Sequence, residues 1–478
     1  MREKNGYLTV YMALCLTVIL SLCLTIIDGA RRNGAAMEAA CVADIGLQSV
    51  LAEYHRQLLE QYNLFAIDSS YGTAEHGSYN TEAHLLKYLD KNLSLDDVFL
   101  SGFFYRDILD LRVDGVKTTG VSIFTDDNGA VFRRRAVEAI QDDVGLSMLE
   151  ELKGWLTTIE INGLDTADLQ GEKEEADRQL SEFEYPEMEE VSIDTINPTK
   201  VLEEKRKLGI LRQVVENEEM LSQNTLDLSG LVYSRMERNE VSLGNIPPVR
   251  KEWTEALTER FFFQEYLLQY MGRYGQEMAE DALKYQIEYL IVGKDNDTEN
   301  LRSIANRICA LREAANAMYL WSDAEKRSEA ELVADLICSV IALPEIAPVL
   351  EIVIILGWAY AESVYDVKTL FSGGRVPLMK DQNSWHYGLD GALSGTLEDS
   401  TSEGQGLSYA DYLRIFMSLT GLDKLTGRAM NMVEADIRIT PGNEAFCLDG
   451  CYDSVEFDIR ISSGFGYEYQ LLRQIAYG

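Results

Sequence analysis

The sequence predicts an α+β protein, predominantly helical, led by a transmembrane helix that continues into a long amphipathic helix. Three observations predict it. Tyr7 to Ile27 is a run of 21 residues without a charge, and a helix needs about 20 to cross the hydrocarbon core. Ala36, Ala40, Ala43, Leu47, Leu51, Tyr54, Leu58 and Tyr62 then recur at steps of three and four, the apolar stripe of an amphipathic helix. Near the end, Val455 to Ile461 alternates at period two, as do Phe465, Tyr467 and Tyr469. That pattern predicts a terminal β-hairpin turning over Ser462-Ser463-Gly464.

Taken in order, residues 1–6 form a short cytoplasmic tail and 7–27 the span. A cleaved signal would carry an apolar region of about 7–15 residues and a small-x-small site. Here the run is longer, and Asp28, Arg31 and Arg32 follow at once. Arg2 and Lys4 balance Arg31 and Arg32, so the positive-inside count ties. The N-terminal amine tips it toward an inside N-terminus. The expected location is the cell membrane, single-pass, with the large domain outside and the lipid bilayer as first partner.

Residues 28–66 are an amphipathic stalk helix. Unbroken from Tyr7 to Tyr62, the rod would measure roughly 84 Å. Its early alanines suit close approach by another helix. Residues 67–245 are an α+β region. In it, 108–125 reads as strands with a turn at Asp114-Gly115, Asp126 to Gly129 as a turn or cap, and Ala130 to Leu156 as helix. Residues 165–200, charged and holding Pro186 and Pro198, read as a linker or surface excursion; 200–220 reads as helix and 222–248 as loop.

Residues 246–375 form a helical region, with Asp297 or Thr298 capping the helix of Leu301, Ile304 and Ile308. The apolar stretch 331–361 is expected as a buried hairpin. Glu345, Glu351, Pro344 and Pro348 argue against a second span, because a carboxylate at mid-bilayer is costly. Residues 376–478 hold a loop (386–406), a helix (409–432) and the hairpin.

Of 478 residues, 46% are hydrophobic and 26% charged, a globular mixture. Net charge is −36; removing residues 1–32, with four basic and two acidic side chains, leaves 39 basic and 77 acidic, or −38. Such a domain repels phosphate backbones, so nucleic acid is excluded as a partner. Seven cysteines at wide spacing are not a disulfide framework. Cys447 and Cys451, flanking Leu448-Asp449-Gly450, are the one candidate disulfide.

Catalytic chemistry finds no pattern. His55, His76, His84 and His386 lack metal-ligand spacing. Asp295-Asn-Asp297-Thr-Glu299 opens like a calcium loop, but Asn300 and Asn306 stand where Gly and Glu are needed. Gly404-Gln-Gly406 and Gly464-Phe-Gly466 are turn fragments. The expected catalytic, cofactor and metal sites are therefore none, and the chain is not read as an enzyme. Arg133-Arg134-Arg135 is expected exposed at a helix start, with docking of an acidic partner as the alternative. Asp28 and Arg31, at the outer edge of the span, form either a local pair or a registry site that selects a neighbouring subunit.

Asp28-Gly-Ala-Arg31 after a span, followed by Ala39-Ala40 and Ala43-Asp44, resembles the opening of Tad pilus-locus proteins of the TadE/TadG kind. Gly6-Tyr-Leu-Thr-Val-Tyr11 is similar to their entry into the membrane. Over most of its length the chain also resembles large envelope proteins of Gram-positive anaerobes, a group without an assigned activity. The stretches that carry this are Ala52 to Phe65, Trp358-Ala-Tyr-Ala-Glu-Ser-Val-Tyr-Asp366 and Thr440-Pro-Gly-Asn-Glu444. The resemblance implies a non-catalytic structural or accessory subunit of a Tad-like pilus or secretion system, partnered through its N-terminal helix. It also implies a possible processing site at Gly6 and Tyr7. The residue five past Gly6 is Tyr11 rather than the Glu of type IV pilins, which implies an anchored accessory rather than a filament subunit. The alternative is an anchored surface binding module, an adhesin or wall-associated sensor, independent of a pilus.

Overall fold

A computed structural model describes residues 4–73, 75–93, 109–141, 145–182, 197–215, 217–241, 243–247, 256–278, 281–395 and 405–477. The expected linker at Pro186, the tail 1–3 and Gly404 lie outside these residues. The protein is predominantly helical with a C-terminal β-hairpin, the α+β class expected. It divides into two units. The first holds Met1–Ala136, Val232–Glu252 and Val433–Gly478; the second holds Val137–Leu231 and Trp253–Met432.

The first unit is built on helix α1, Lys4–Leu51, 48 residues without a break and so roughly 72 Å long. Side chains from Tyr7 to Ile27 stand exposed. From Ala35 onward one face is buried through Ala39, Val42, Ala43, Gly46, Leu47 and Val50. The expected stripe is thus correct at Ala43 and Leu47 but one residue off at Ala36 and Ala40, which flank the seam.

The rod also ends earlier than expected. After Leu51 the chain turns, and a separate helix α2, Arg56–Tyr62, starts where the His55 ring accepts the Leu58 N–H at 3.2 Å. Strand β1 (Ile67–Asp68) and helix α3 (Ser78–Leu93) follow. α3 crosses α1 at Gly46, where an added Cβ would lie 2.8 Å from Leu89 Cδ2.

Strand β2, Leu111–Ile123, replaces the two strands expected at 108–125. Asp114-Gly115 is no turn: the chain keeps pairing with β3 (Cys451–Ser463), Val113 opposite Ile461 and Gly115 opposite Arg460, and leaves one residue unpaired as a bulge. A second bulge falls between Thr118 and Gly120. β3 is central, antiparallel to every partner. β2 takes one edge; β1 pairs at Cys451 and Tyr452, and β4 (Glu468–Ala476) from Ser454 to Ser462. The hairpin expected from the alternation is the β3–β4 pair. Val455, Phe457, Ile459 and Ile461 of β3 share one core with the buried face of α1.

Helix α4, Asp126–Glu138, begins with Asp127, Asn128 and Gly129 at positive φ. The Asp126 carboxylate fastens this turn by accepting from Ile123 N at 2.9 Å and Gly244 N at 2.7 Å. The arginines beyond it correct the sequence reading. Arg134 and Arg135 are buried, and both reach the fully buried Asp453 on β3. An acidic core residue, invisible to a local reading, drew them in.

In the second unit, Leu169–Glu182 is a helix, where a surface excursion was expected; Leu169, Ala176 and Leu180 bury its apolar side. The helix expected over 130–156 is two, broken after Glu138 and resumed as Ser147–Asn162. Asn296, not Asp297 or Thr298, caps the helix Asp297–Ser322, its Oδ1 accepting Glu299 N at 3.1 Å. Asp297 instead accepts from Lys284 N and Tyr285 N at 2.9 and 3.1 Å. Among the described residues two helices are long and apolar enough to cross a membrane: Tyr7–Leu51, with none of its apolar window buried, and Pro344–Phe371, with 72% buried. Burial makes the latter a core helix. Its hairpin partner, Ala324–Val340, keeps Leu332, Leu336 and Val340 exposed, so only one arm of the expected buried hairpin is mostly inside.

Candidate functional site

Asp28 and Arg31, predicted as a pair at the membrane edge, are drawn apart by the terminal hairpin. The Tyr467 hydroxyl donates to Asp28 Oδ1, and this bond holds the phenol pKa above its usual value. The Arg31 guanidinium lies over the Phe465 ring, 4.0 Å from its centroid, a cation–π arrangement. The Tyr469 hydroxyl donates to the Arg32 carbonyl at 2.9 Å. The local Asp28–Arg31 pair is therefore not formed. Both residues meet the β3–β4 turn, which passes Ser463, Gly464, Phe465 and Gly466; Gly466, at φ +84°, takes a conformation that suits glycine.

The remaining contacts set the direction. Arg473 Nε is 3.3 Å from Asp44 Oδ1, and the Tyr477 hydroxyl donates to the Leu51 carbonyl at 2.7 Å. β4 therefore runs beside α1 in the same direction, away from the apolar run Tyr7 to Ile27. Asp28 to Leu51 rises roughly 35 Å along a helix, and Tyr467 to Tyr477 roughly 34 Å along a strand. The matched rise keeps the contacts in step and leaves the turn at the level of Asp28.

Gly6 and Tyr7 lie within the first turns of α1. Cys447 and Cys451 are free thiols, which corrects the expected bridge. A 3-10 turn, Leu448–Gly450, separates them. The Arg438 guanidinium donates to Cys447 Sγ at 3.3 Å, and the buried Cys451 thiol faces the Cys447 carbonyl. Burial pushes the Cys451 pKa well up.

The second unit holds a polar centre that the sequence reading missed. Arg312, fully buried, donates from Nε to Asp366 Oδ2 at 3.0 Å and from Nη1 to the Pro377 carbonyl at 2.8 Å. Lys380 Nζ bridges Asp366 Oδ1, at 2.7 Å, and Glu362. Glu362 also accepts from His386 N and Tyr387 N at 3.0 and 2.9 Å. Burial raises the Glu362 pKa; at Asp366 burial pushes upward too, but Arg312 and Lys380 outweigh it and hold the group below its usual range. This network floors a cleft of about 740 Å³ lined by Tyr365, Arg375, Asp381, Trp385 and His386. Two carboxylates one turn apart on an apolar helix were the available signal: buried charges demand cations.

Fold and site together define a two-unit α+β protein whose N-terminal helix is a candidate membrane span. The chain belongs to DUF5702, a family of unknown function, whose profile matches residues 187–463. That match takes in the Arg312–Asp366–Lys380 network and β3, and ends before β4. No curated protein and no solved structure matches the chain.

Proposed function

We propose that this chain is a membrane-anchored, extracytoplasmic structural or accessory subunit of a Tad-like pilus or secretion system, without catalytic activity. One observation carries the reading. A single helix presents an exposed apolar half, Tyr7 to Ile27, and then becomes the buried spine of an antiparallel sheet. Such a helix places its partners in the lipid, where small residues and helix packing select neighbours. The N-terminus stays in the cytoplasm and both folded units lie outside.

The test is fractionation with surface proteolysis. The chain is expected in carbonate-washed membranes, and protease added to whole cells is expected to remove the folded units. Full-length chain in the cytosol sinks the proposal. N-terminal sequencing then reads processing directly: a start at Met1 means an uncut anchor, and at Tyr7, cleavage after Gly6.

A second reading, an anchored surface binding module, is favoured by the cleft over Lys380, whose lining mixes aromatic and charged side chains. Deleting the secretion ATPase of the Tad-like system separates the two. Surface display is lost under the first reading and unchanged under the second.

A further inference from the structure

We propose that the β3–β4 turn is a lipid-contacting element, with Phe465 seated in the headgroup layer of a zwitterionic bilayer beside the point where α1 leaves it. This rests on the reading of Tyr7 to Ile27 as a span.

Height is fixed by covalent geometry. Arg31 is four residues past Ile27, so it stands roughly 6 Å above the end of the apolar run. The headgroup region is about 5–7 Å deep on each side of the core. Phe465 packs on the Arg31 guanidinium and is therefore held at that level. Tyr467 on Asp28 and Tyr469 on Arg32 fix the turn there from two further points.

The chemistry of the turn fits the same layer. Phe465 is 46% exposed although it is a large apolar side chain at the end of a hairpin. Nothing in the fold requires it there: Ser463 N–H to the Tyr467 carbonyl, 2.8 Å, and Gly464 N–H to the Asp110 carbonyl, 2.8 Å, already close the turn. Tyr and Trp, whose rings are apolar and whose tips are polar, collect at the membrane–water interface. Tyr467, just before β4, and Tyr469, on it, are of that kind and flank Phe465 at the turn, beside a helix that supplies Asp28, Arg31 and Arg32. A strongly acidic protein is repelled by anionic headgroups, which points to zwitterionic lipid.

The consequence is orientation. A helix anchor alone leaves a domain free to tilt and swivel. A second lipid contact on the same rigid helix–hairpin pair fixes which face of the first unit looks at the bilayer.

The experiment places the photo-crosslinker benzoylphenylalanine at position 465, 20 or 472 of the full chain in phosphatidylcholine nanodiscs. Thermal unfolding is used first to confirm that each labelled chain is folded. Leu20 lies in the apolar half of α1, and Leu472, 58% exposed, lies five residues past Tyr467 on β4, roughly 17 Å farther from the lipid. Expected are lipid adducts at 20 and 465 and at least a tenfold lower yield at 472. Adducts at 20 with none at 465 overturn the lipid contact and leave the anchor standing. Silence at both overturns the anchor and the contact together. A crosslink from 465 to a second chain in place of lipid also overturns it.

Discussion

The phenol of Tyr467 donates a hydrogen bond to the carboxylate of Asp28, joining the turn before the last strand to the first residue beyond the apolar run. The bond spans almost the whole sequence. It means that the hairpin is not a free C-terminal appendage but a brace along α1, repeated at Tyr469, Arg473 and Tyr477.

Removing that bond should loosen the tip without unfolding the unit. In Y467F the ring remains and only the hydroxyl is lost, at an exposed site. Amide exchange of residues 463–467 is expected to accelerate severalfold in the full chain, because local opening there no longer breaks a tie to α1. The melting temperature is expected to stay unchanged. Equal exchange rates in both chains would show that the brace rests on its other contacts.

Gly46 tests how closely α1 and α3 must approach. Alanine would gain about 1 kcal/mol of helix propensity. Its Cβ, however, would meet Leu89 Cδ2 at 2.8 Å and Leu85 Cδ1 at 3.1 Å, both in a buried core. The two effects oppose each other at similar size, so G46A is expected near neutral. G46L has no such compensation and should cost about 1–3 kcal/mol by overpacking. Denaturant unfolding checks this; a G46L chain as stable as the parent would mean that α3 can move away freely.

Asp453 holds two buried guanidiniums, Arg134 at 2.7 Å and Arg135 on its other oxygen. Breaking a buried pair costs about 3–5 kcal/mol because the surviving charge is left uncompensated. D453A removes the buried carboxylate that both arginines share and is expected to fall within that range. Lys380 makes the matching case in the second unit. K380M leaves Asp366 with Arg312 but leaves Glu362 with no cation among its bonded partners. It should destabilise by about 3 kcal/mol, and adding E362Q should recover most of the loss. Failure of that rescue would assign the damage to Asp366.

These charged centres also mark where sequence reading stops. The apolar run, the α1 helix and the β3–β4 alternation were legible because each is a local pattern of hydrophobicity. The end of α1 at Leu51 was not: Tyr54, Leu58 and Tyr62 continue the period, while a turn and the His55 cap break the axis. Arg134 and Arg135 look like surface because their partner lies more than 300 residues away. The bulge at Asp114-Gly115 carries a turn's composition and was separated from one only by the unbroken partner strand. Asp28 and Arg31 were read as a local pair or a registry site, but their contacts are with Tyr467 and Phe465, from the far end of the chain.

Glu288 gives the protein a pH dependence of definite sign. It is fully buried on the helix Gln286–Val292 and accepts from the Tyr409 hydroxyl at 2.6 Å and Tyr274 N at 3.0 Å, while Oε2 has no hydrogen-bond partner. Burial raises its pKa to about 7, against the opposing effect of those hydrogen bonds. Folding thus favours the protonated acid. Its contribution to stability is complete below the unfolded value, near 4.5, and is lost as pH rises through about 7. At about 1.4 kcal/mol per pH unit, the loss is of the order of 3–4 kcal/mol. Glutamine keeps the shape and the acceptor oxygen without the charge. Urea unfolding at pH 5 and pH 8 is therefore expected to show E288Q close to the parent in acid and more stable than it at pH 8. Asp281, raised by burial to about 6, adds a fall of the same sign, but it is present in both chains and cancels in the comparison. Parallel pH profiles for the two chains would show that Glu288 keeps its charge in the folded protein.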